Sequence, residues 1–313
     1  KGHEENQNYG TYVRKFSDRK IILKYIKIKN KYLSNNWKTN ILNEQLNNQI
    51  SISYKINKAS IDSKKVKKGD VFFAIKGKKN DGNFFIKESI KKRATMTIVS
   101  KIDRSAIRSK QILVKDSLDF LTELSKKIRI NSNSKIIAIT GSCGKTSLKE
   151  LLATTLNKIA KTSFSPKSYN NKYGVPLSIF NINQDDDFGI FEVGMDKSGE
   201  IDFLSNIIKP DLSVITNISY AHAKNFKNIN QIASAKSEII NNVKSGGFII
   251  LNADDSFFNK HKKMALKRKL TIYSFSLKKR NADIFIRKII KQSNKFKVTI
   301  SINKENKFFY LRS

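Results

Sequence analysis

Residues 139–152, ITGSCGKTSLKELL, constrain the fold of this chain more than any other stretch. An apolar strand ends at Thr140, a turn containing Gly141 and Gly144 follows, and a leucine-rich helix then begins. This order favours anion binding, because backbone N–H groups at a helix N-terminus point towards a ligand in front of it. The stretch therefore predicts a phosphate-binding loop within an α/β fold.

The residue types of this loop suit a nucleoside triphosphate. Lys145 would neutralise β- and γ-phosphate oxygens, and the Thr146 hydroxyl would ligate Mg²⁺. Ile139 stands where the general G-x-x-x-x-G-K-[ST] pattern has its first glycine, so an ordinary strand-to-helix turn stays open as an alternative. The predicted nucleotide contacts are Gly141, Ser142, Cys143, Gly144, Lys145, Thr146 and Ser147.

Apolar strands alternate with helical stretches on both sides of the loop. A length of 313 residues predicts more than one domain, each with its own core. Residues 35–131 read as a small α/β domain with the strands VFFAI, TMTIVS and QILV, and the polar NSNS after it indicates a linker. Residues 132–313 repeat strand and helix, which predicts a doubly wound, mostly parallel sheet ending in a β-ribbon over 284–313.

Polar residues follow several predicted strands, where open parallel sheets bind ligands. Glu192 ends GIFEVG and could hold Mg²⁺, and His222 follows DLSVITN as a possible second metal ligand. Asn252 and Asp255 follow GGFIIL and could contact adenine and ribose. A structural salt bridge, a solvated histidine and an ordinary Asx-rich turn remain the respective alternatives. Lys236 lies in a helical stretch and reads as one of many surface lysines.

The charge balance is strongly basic. The net charge is +35, with 51 Lys and ten Arg spread along the whole chain. Because RNP-type aromatic motifs and zinc-finger spacings are lacking, a solvated lysine-rich surface is favoured over nucleic-acid binding. One Cys excludes a disulfide framework, and no apolar run reaches the roughly 18 residues of a membrane span. The composition therefore predicts a soluble cytoplasmic protein without a membrane partner.

Six motifs in order resemble the Mur ligase family, and within it the members that add D-alanyl-D-alanine. They are TGSCGKTS, SYNNKYGVPLSIF, FEVGMDKSGEI, ITNISYAHAKNF, IASAKSEI and LNADD. The resemblance covers residues 35–313. TGSCGKTS is similar to a shortened phosphate loop of that family, which accounts for Ile139.

The resemblance implies roles that the single motifs leave open. Lys236 is expected to carry a carbamate, an anion able to hold a second Mg²⁺, and two Mg²⁺ ions are expected beside ATP. Asn170 and Asn171 are expected near the γ-phosphate and the substrate carboxylate, and Asn252 and Asp255 at adenosine. The implied catalytic residues are Lys145, Asn170, Asn171, His222 and Lys236, and the implied metal ligands are Thr146, Glu192, His222 and Lys236.

The first domain resembles the UDP-binding domain of the family. The implied substrate contacts are Ser63, Lys64, Gly77 and Asp81, although Lys64 replaces an Arg and Asn83 a His of the family pattern. Residues 1–34, with KGHE, resemble the end of a diamino-acid-adding Mur ligase. We therefore expect an incomplete chain at the junction of two fused ligases, without the family's C-terminal ligase domain.

The implied activity is an ATP-dependent, ADP-forming amide ligation in peptidoglycan precursor synthesis. D-alanyl-D-alanine would be added to UDP-N-acetylmuramoyl-tripeptide through an acyl phosphate. One alternative is another Mur-type ligase, either diamino-acid-adding or folylpolyglutamate-like. The other is a non-catalytic basic fragment that binds nucleotides or nucleic acid.

Overall fold

The computed structural model of the protein describes residues 37–47, 52–77, 80–220 and 225–312. The predicted tail at residues 1–34 and the predicted metal ligand His222 lie outside these ranges. Within them the chain forms a four-stranded and a nine-stranded sheet with helices packed on them. No helix in these ranges is both long and apolar enough to cross a bilayer.

The smaller sheet has the strand order β1-β2-β3-β4, and all its pairs are parallel. Sequence patterns predicted all of these strands except the two-residue β1. Asp116 caps the last helix of this part, because its side chain accepts the N–H groups of Leu118 and Asp119. The elements are α1 (Trp37–Gln45), β1 (Ala59–Ser60), β2 (Val71–Phe73), α2 (Ile86–Lys91), β3 (Met96–Val99), β4 (Gln111–Leu113) and α3 (Ser117–Asn131).

The larger sheet has the order β13-β12-β11-β10-β9-β8-β5-β7-β6. Its pairs are parallel from β6 to β11, and β11, β12 and β13 form an antiparallel ribbon. The predicted fold class, a mostly parallel α/β fold, is confirmed. The strands are β5 (Lys135–Thr140), β6 (Thr162–Phe164), β7 (Phe188–Glu192), β8 (Leu212–Ile215), β9 (Phe248–Asn252), β10 (Thr271–Ser276), β11 (Ile284–Gln292), β12 (Lys295–Ile302) and β13 (Glu305–Arg312).

Within the described residues, five α-helices accompany the larger sheet: α4 (Lys145–Leu156), α5 (Gly174–Phe180), α6 (Glu200–Ile208), α7 (Ile229–Ser237) and α8 (Phe258–Lys267). The sequence pattern placed Leu148, Leu151, Leu152 and Leu156 on one face of α4. Leu148, Leu152 and Leu156 pack against the sheet, but Leu151 is 64% exposed. Leu151 is exposed because the buried face of α4 is centred one helical position further round, where Lys149 is completely buried.

The two parts of the chain share packing through α5. Phe180 at its C-terminus lies in the same apolar cluster as the smaller sheet and meets the Phe73 ring edge-on at 5.8 Å. The Asn181 side chain also exchanges two hydrogen bonds with the backbone of Ala59, at 2.7 and 3.1 Å. The two parts have distinct apolar clusters, and α5 of the larger part contributes Leu177 and Phe180 to the cluster of the smaller one. The boundary between residues 131 and 132 stays a prediction.

Candidate functional site

The turn between β5 and α4 leaves its backbone open to an anion. Gly141 has φ 144° and Gly144 has φ 81°, conformations that favour glycine. A Cβ at position 141 would also overlap the Thr216 side chain. No side chain caps α4 at Gly144, so the unpaired N–H groups and the positive end of the helix dipole face the space in front of the helix.

The loop is held from behind by the segment that follows β8. The Ser142 N–H donates to the Asn217 carbonyl at 2.9 Å, and the Cys143 N–H donates to Asn217 Oδ1 at 3.1 Å. Thr216 Oγ1 donates to the Cys143 carbonyl at 2.6 Å. Ser142 Oγ donates to the Ser219 carbonyl at 3.0 Å and accepts its N–H at 2.8 Å. These bonds fix the shape of the loop before any ligand arrives.

Two lysine ammonium groups meet at one carbonyl of the loop. Lys145 Nζ donates to the Gly141 carbonyl at 2.8 Å, and Lys236 Nζ donates to the same oxygen at 3.0 Å. Lys236 is only 1% exposed, and burial together with the charge of Lys145 lowers its pKa to about 8. Two cations around one dipole create a local positive potential, which favours an anion at the mouth of the loop.

Glu192 lies at the tip of β7 with both carboxylate oxygens engaged. Thr146 Oγ1 donates to Oε2 at 2.7 Å, and Asn170 Nδ2 donates to Oε1 at 2.7 Å. The Glu192 residue is 2% exposed. Gly194 permits the close approach of Asn170, since a Cβ there would lie 2.8 Å from its carboxamide carbon. The carboxylate of Glu192 thus lies beside the first turn of α4, and its role as a Mg²⁺ ligand stays a prediction.

The donor atoms beside the loop suit a magnesium ion bound together with phosphate. A carboxylate and a hydroxyl are hard oxygen ligands of the kind that Mg²⁺ takes. Among the residues that the structure describes, no group of three or more His, Cys, Asp or Glu side chains gathers to hold a metal. Since Mg²⁺ usually binds through one or two carboxylates plus substrate phosphates, Glu192 and Thr146 fit this pattern.

The predicted adenosine contacts have protein partners in this structure. Asn252 Nδ2 donates to the Thr216 carbonyl at 3.1 Å. The two Asp255 oxygens accept the N–H groups of Ile218 at 2.6 Å and Phe257 at 2.9 Å. Both side chains therefore support the segment behind the phosphate loop, and their contact with adenosine stays a prediction.

A cleft of about 1420 Å³ opens between the two parts of the chain, next to the phosphate loop. Lys145, Asn170 and Asn171 lie on its wall, so it adjoins the predicted nucleotide site directly. Asn171 Oδ1 accepts the N–H groups of Tyr173 and Gly174 at 3.1 and 3.0 Å, which holds the turn that leads into α5. Other lining residues come from both parts, among them Ile75, Gly77, Asn80, Met195, Lys197 and Phe203.

The predicted substrate contacts of the first domain sit in separate turns. Ser63 Oγ donates to Glu88 Oε2 at 2.8 Å, and the Lys64 carbonyl accepts Lys92 Nζ at 2.9 Å. Asp81 caps a 3₁₀ turn, and the Asn83 N–H that it accepts lowers the pKa of its carboxyl. Of the four predicted residues, Gly77 lines the cleft.

Two features of the site escaped sequence reasoning. Thr216 and Asn217 directly follow β8, and the strand-tip rule that selected Glu192 could have found them. Lys149 lies on the buried face of α4 and donates to the Lys167 carbonyl, in the segment that leads to Asn170. Nothing in the sequence separates Lys149 from the many exposed lysines.

Comparison with known proteins identifies matching families and relatives. Residues 139–311 match the family model of the Mur ligase middle domain, and residues 55–129 match that of the Mur ligase family, catalytic domain. The UDP-N-acetylmuramoyl-tripeptide--D-alanyl-D-alanine ligase of Rickettsia prowazekii is 39% identical over 240 residues, covering 76% of this chain and 53% of that protein. Its Escherichia coli counterpart is 29% identical, covering 78% and 53%. The chain spans about half the length of the curated relatives it matches.

Solved structures show the same similarity. MurF from Acinetobacter baumannii superposes with a TM-score of 0.76 at 27% identity, covering 88% of this chain and 60% of that one. MurF from Thermotoga maritima in complex with ADP superposes with a TM-score of 0.69 at 27% identity, covering 82% and 58%. Each superposition includes residues from both sheets, because the share of the chain that it covers is larger than the part that forms either sheet with its helices.

Proposed function

This chain belongs to the Mur ligase family, and from that premise we propose that it is the nucleotide-handling part of a D-alanyl-D-alanine-adding ligase. The acceptor would be UDP-N-acetylmuramoyl-tripeptide, as in the names of its relatives. One observation carries the proposal: a preformed anion-binding loop, with Lys145, Lys236 and Glu192 beside it, opens onto a cleft large enough for a second substrate. The product would be a peptidoglycan precursor, and ADP and phosphate would be released.

The loop residues Gly141, Ser142, Cys143 and Gly144 and the first turn of α4, with Ser147, would bind the ATP phosphates through backbone N–H groups. Lys145 now donates to the carbonyls of its own loop, and would exchange these for β- and γ-phosphate oxygens. The similarity to an ADP-bound MurF supports this assignment. Asn252 and Asp255 would border adenosine while holding the segment behind the loop.

Thr146 and Glu192 would hold Mg²⁺, with His222 as a further ligand from the part of the chain that the structure leaves undescribed. The ion would supply positive charge against the phosphate oxygens. Asn170 orients Glu192 through its hydrogen bond, and Asn171 lies where the cleft meets the loop.

Amide formation in water needs an activated acyl group, because a carboxylate resists attack by an amine. The terminal carboxylate of the tripeptide would attack the γ-phosphorus of ATP, forming an acyl phosphate and releasing ADP. The amine of D-alanyl-D-alanine would then attack the acyl carbon, releasing phosphate and a proton. The protein supplies no covalent nucleophile in this route, so Lys145 and its neighbours act by positioning and charge neutralisation.

Lys236 is a candidate for carbamate formation, in which its neutral amine adds to CO₂ and releases a proton. Burial and Lys145 lower the pKa of Lys236 to about 8, which increases the neutral fraction of the amine near neutral pH. The carbamate would be an anion able to hold a second Mg²⁺. In a Lys236→Ala variant, small carboxylates such as acetate should partly restore turnover, whereas formamide, which has a similar size and no charge, should not.

Ser63, Lys64, Gly77 and Asp81 would line the approach of the UDP moiety, and Gly77 is the one of the four that lines the cleft. A UDP-linked acceptor and a reaction that consumes ATP favour a cytoplasmic location for this protein. The resemblance of residues 1–34 to the end of a preceding ligase, and a fusion of the two enzymes, stay predictions.

Phosphate release measured with MgATP, UDP-N-acetylmuramoyl-tripeptide and D-alanyl-D-alanine tests the function. We expect release that requires all three substrates, and no release when a folate acceptor or a diamino acid replaces its counterpart. Release with the folate acceptor would instead assign a sister ligase. Salt-sensitive RNA binding without any affinity for the UDP-linked acceptor would indicate a basic nucleic-acid-binding fragment.

A further inference from the structure

One wall of the cleft is the segment that leads from Glu192 to α6. We name residues 194–199 the cleft loop, and all six of them line the cleft. At its start, the Gly194 N–H donates to the Asn170 carbonyl at 2.8 Å. At its end, Gly199 has φ 85° and precedes α6 without capping that helix by a side chain. The loop thus joins a predicted metal ligand to a helix whose N-terminus needs an external partner.

Glu238 supplies that partner from another element. Its Oε1 accepts the N–H of Gly199 at 2.8 Å, and its Oε2 accepts the N–H of Asp202 at 3.1 Å. One carboxylate thereby satisfies two N–H groups at the start of α6, each with a separate oxygen. A carboxylate also interacts favourably with the positive end of the helix dipole.

A second glutamate holds the middle of the same loop. Glu200 Oε2 accepts the N–H groups of Asp196 and Lys197, at 2.6 and 3.2 Å. Asn242, four residues after Glu238, donates to Asp202 Oδ1 at 2.9 Å and to Ser205 Oγ at 3.0 Å. The cleft loop and the first turn of α6 are therefore tied to the segment at residues 238–242.

That segment continues directly from the helix that carries Lys236. Lys236 Nζ donates to the Gly141 carbonyl of the phosphate loop at 3.0 Å, and Glu238 follows two residues later. A stretch of three residues thus contacts the phosphate loop at one end and the cleft loop at the other. It therefore connects the two loops, which also follow the paired strands β5 and β7.

We propose that Glu238 is a positioning residue for the acceptor, which fixes the cleft loop relative to the phosphate loop so that the acceptor carboxylate meets the γ-phosphate. This inference rests on the proposed function, because it assigns the cleft to the UDP-linked acceptor. Glu238 bonds the backbone N–H of Gly199 in the cleft loop and the backbone N–H of Asp202 in the first turn of α6. Its action on the substrate is therefore indirect.

Glu238→Gln is the sharpest variant, since it keeps the size of the side chain. A glutamine has one acceptor oxygen, so its NH₂ group would face one of the two N–H groups and the cleft loop would lose an anchor. The matched control is Glu123→Gln on α3, where the carboxylate pairs with Lys126 on the surface. Glu238→Asp provides a second variant, which keeps the negative charge but has a side chain too short to bond both N–H groups.

The 313-residue chain and each variant are titrated with UDP-N-acetylmuramoyl-tripeptide and, separately, with the magnesium complex of a non-hydrolysable ATP analogue. We expect Glu238→Gln to weaken acceptor binding by on the order of tenfold, as for one lost charge-assisted hydrogen bond. Binding of the ATP analogue should change less than about twofold, and Glu123→Gln should match the unmodified chain for both ligands.

Equal loss of both affinities in Glu238→Gln would mean a general loosening of the fold, and an unchanged acceptor affinity would mean that Glu238 only caps α6. Either result overturns the inference. If Glu238→Gln does not fold, the same comparison is made with Glu238→Asp, with the same criteria. If the unmodified chain binds the ATP analogue but not the acceptor, the proposed function fails first and the inference falls with it.

Discussion

Site residues were predicted from motifs both around the phosphate loop and in the turns of the smaller domain. The structure brings the predicted residues together in the first region but not in the second. Around the loop, predicted residues from four separate stretches contact one another: Thr146 and Asn170 both bind Glu192, while Lys145 and Lys236 share the Gly141 carbonyl. In the smaller domain, Ser63, Lys64 and Asp81 each bind neighbours within their own domain instead.

The difference follows from topology. Parallel strands end at one edge of the sheet, so residues that directly follow β5 and β7 must meet there. Ser63 and Asp81 instead occupy 3₁₀ turns and hold the backbone of those turns. The predicted nucleotide site is therefore supported by contacts between its residues. The predicted substrate site of the smaller domain is supported by motif matches alone.

The largest expected effect comes from removing the charge of the loop. Lys145→Ala should weaken binding of the ATP analogue by on the order of 100-fold, because a cation that bonds phosphate oxygens is lost. Calorimetric titration at fixed Mg²⁺ measures it, with Lys126→Ala on the exposed side of α3 as the control. Affinity equal to that of the control would break the assignment of the loop.

Thr146→Val tests the predicted Mg²⁺ site beside the loop, and a smaller loss of nucleotide affinity is expected. Valine keeps the shape but removes the hydroxyl that bonds Glu192. We expect nucleotide affinity to fall by roughly tenfold in Mg²⁺, and to stay nearly unchanged in EDTA. A similar loss under both conditions would show that Thr146 acts on the fold rather than on the metal.

The core of the smaller part offers a pH test through Lys38, which is 3% exposed and donates to the Asn57 carbonyl at 3.1 Å. Burial, then the nearby charge of Lys58, lowers the pKa of Lys38 from 10.5 to about 8. Between these values the unfolded chain binds more protons, so the folded protein gains stability as pH rises. Relative to Lys38→Met, the unmodified chain should gain roughly 1–3 kcal/mol between pH 7 and 10.

Denaturant unfolding of both proteins at several pH values measures this difference. The comparison cancels the titration of the other lysines, which both proteins share. Parallel pH profiles for the two proteins would show that Lys38 keeps an ordinary pKa in the folded state.

The smallest effect is expected in the turns of the smaller domain. Ser63→Ala removes one hydrogen bond to Glu88, whose carboxylate is 40% exposed and can bind water instead. The free energy of unfolding should fall by about 1 kcal/mol, with no change in affinity for the ATP analogue. If Ser63→Ala also weakens binding of the UDP-linked acceptor, Ser63 belongs to the substrate site. The motif match would then identify a functional residue in the smaller domain as well as at the phosphate loop.

Much of the fold was predictable from periodicity. Apolar runs identified β5, β7, β8, β9 and β10, and alternation identified the ribbon of β11 to β13. The short edge strands β1 and β6 were not predicted, because two or three residues are too few to show the alternation of apolar and polar side chains. The leucine pattern of α4 did not show that Leu151 is exposed, because the buried face of the helix includes the lysine at position 149.

The sequence by itself determined the phosphate loop and the strand tips that carry Glu192 and Asn252, because these features depend on neighbours a few residues away. Only the tertiary structure decided which lysines of the described residues are buried, and so distinguished Lys38, Lys149 and Lys236 from the exposed ones. It also decided that Glu238 reaches the start of α6. The environment of a helical side chain depends on which distant segment packs against it, and local pattern does not contain that information.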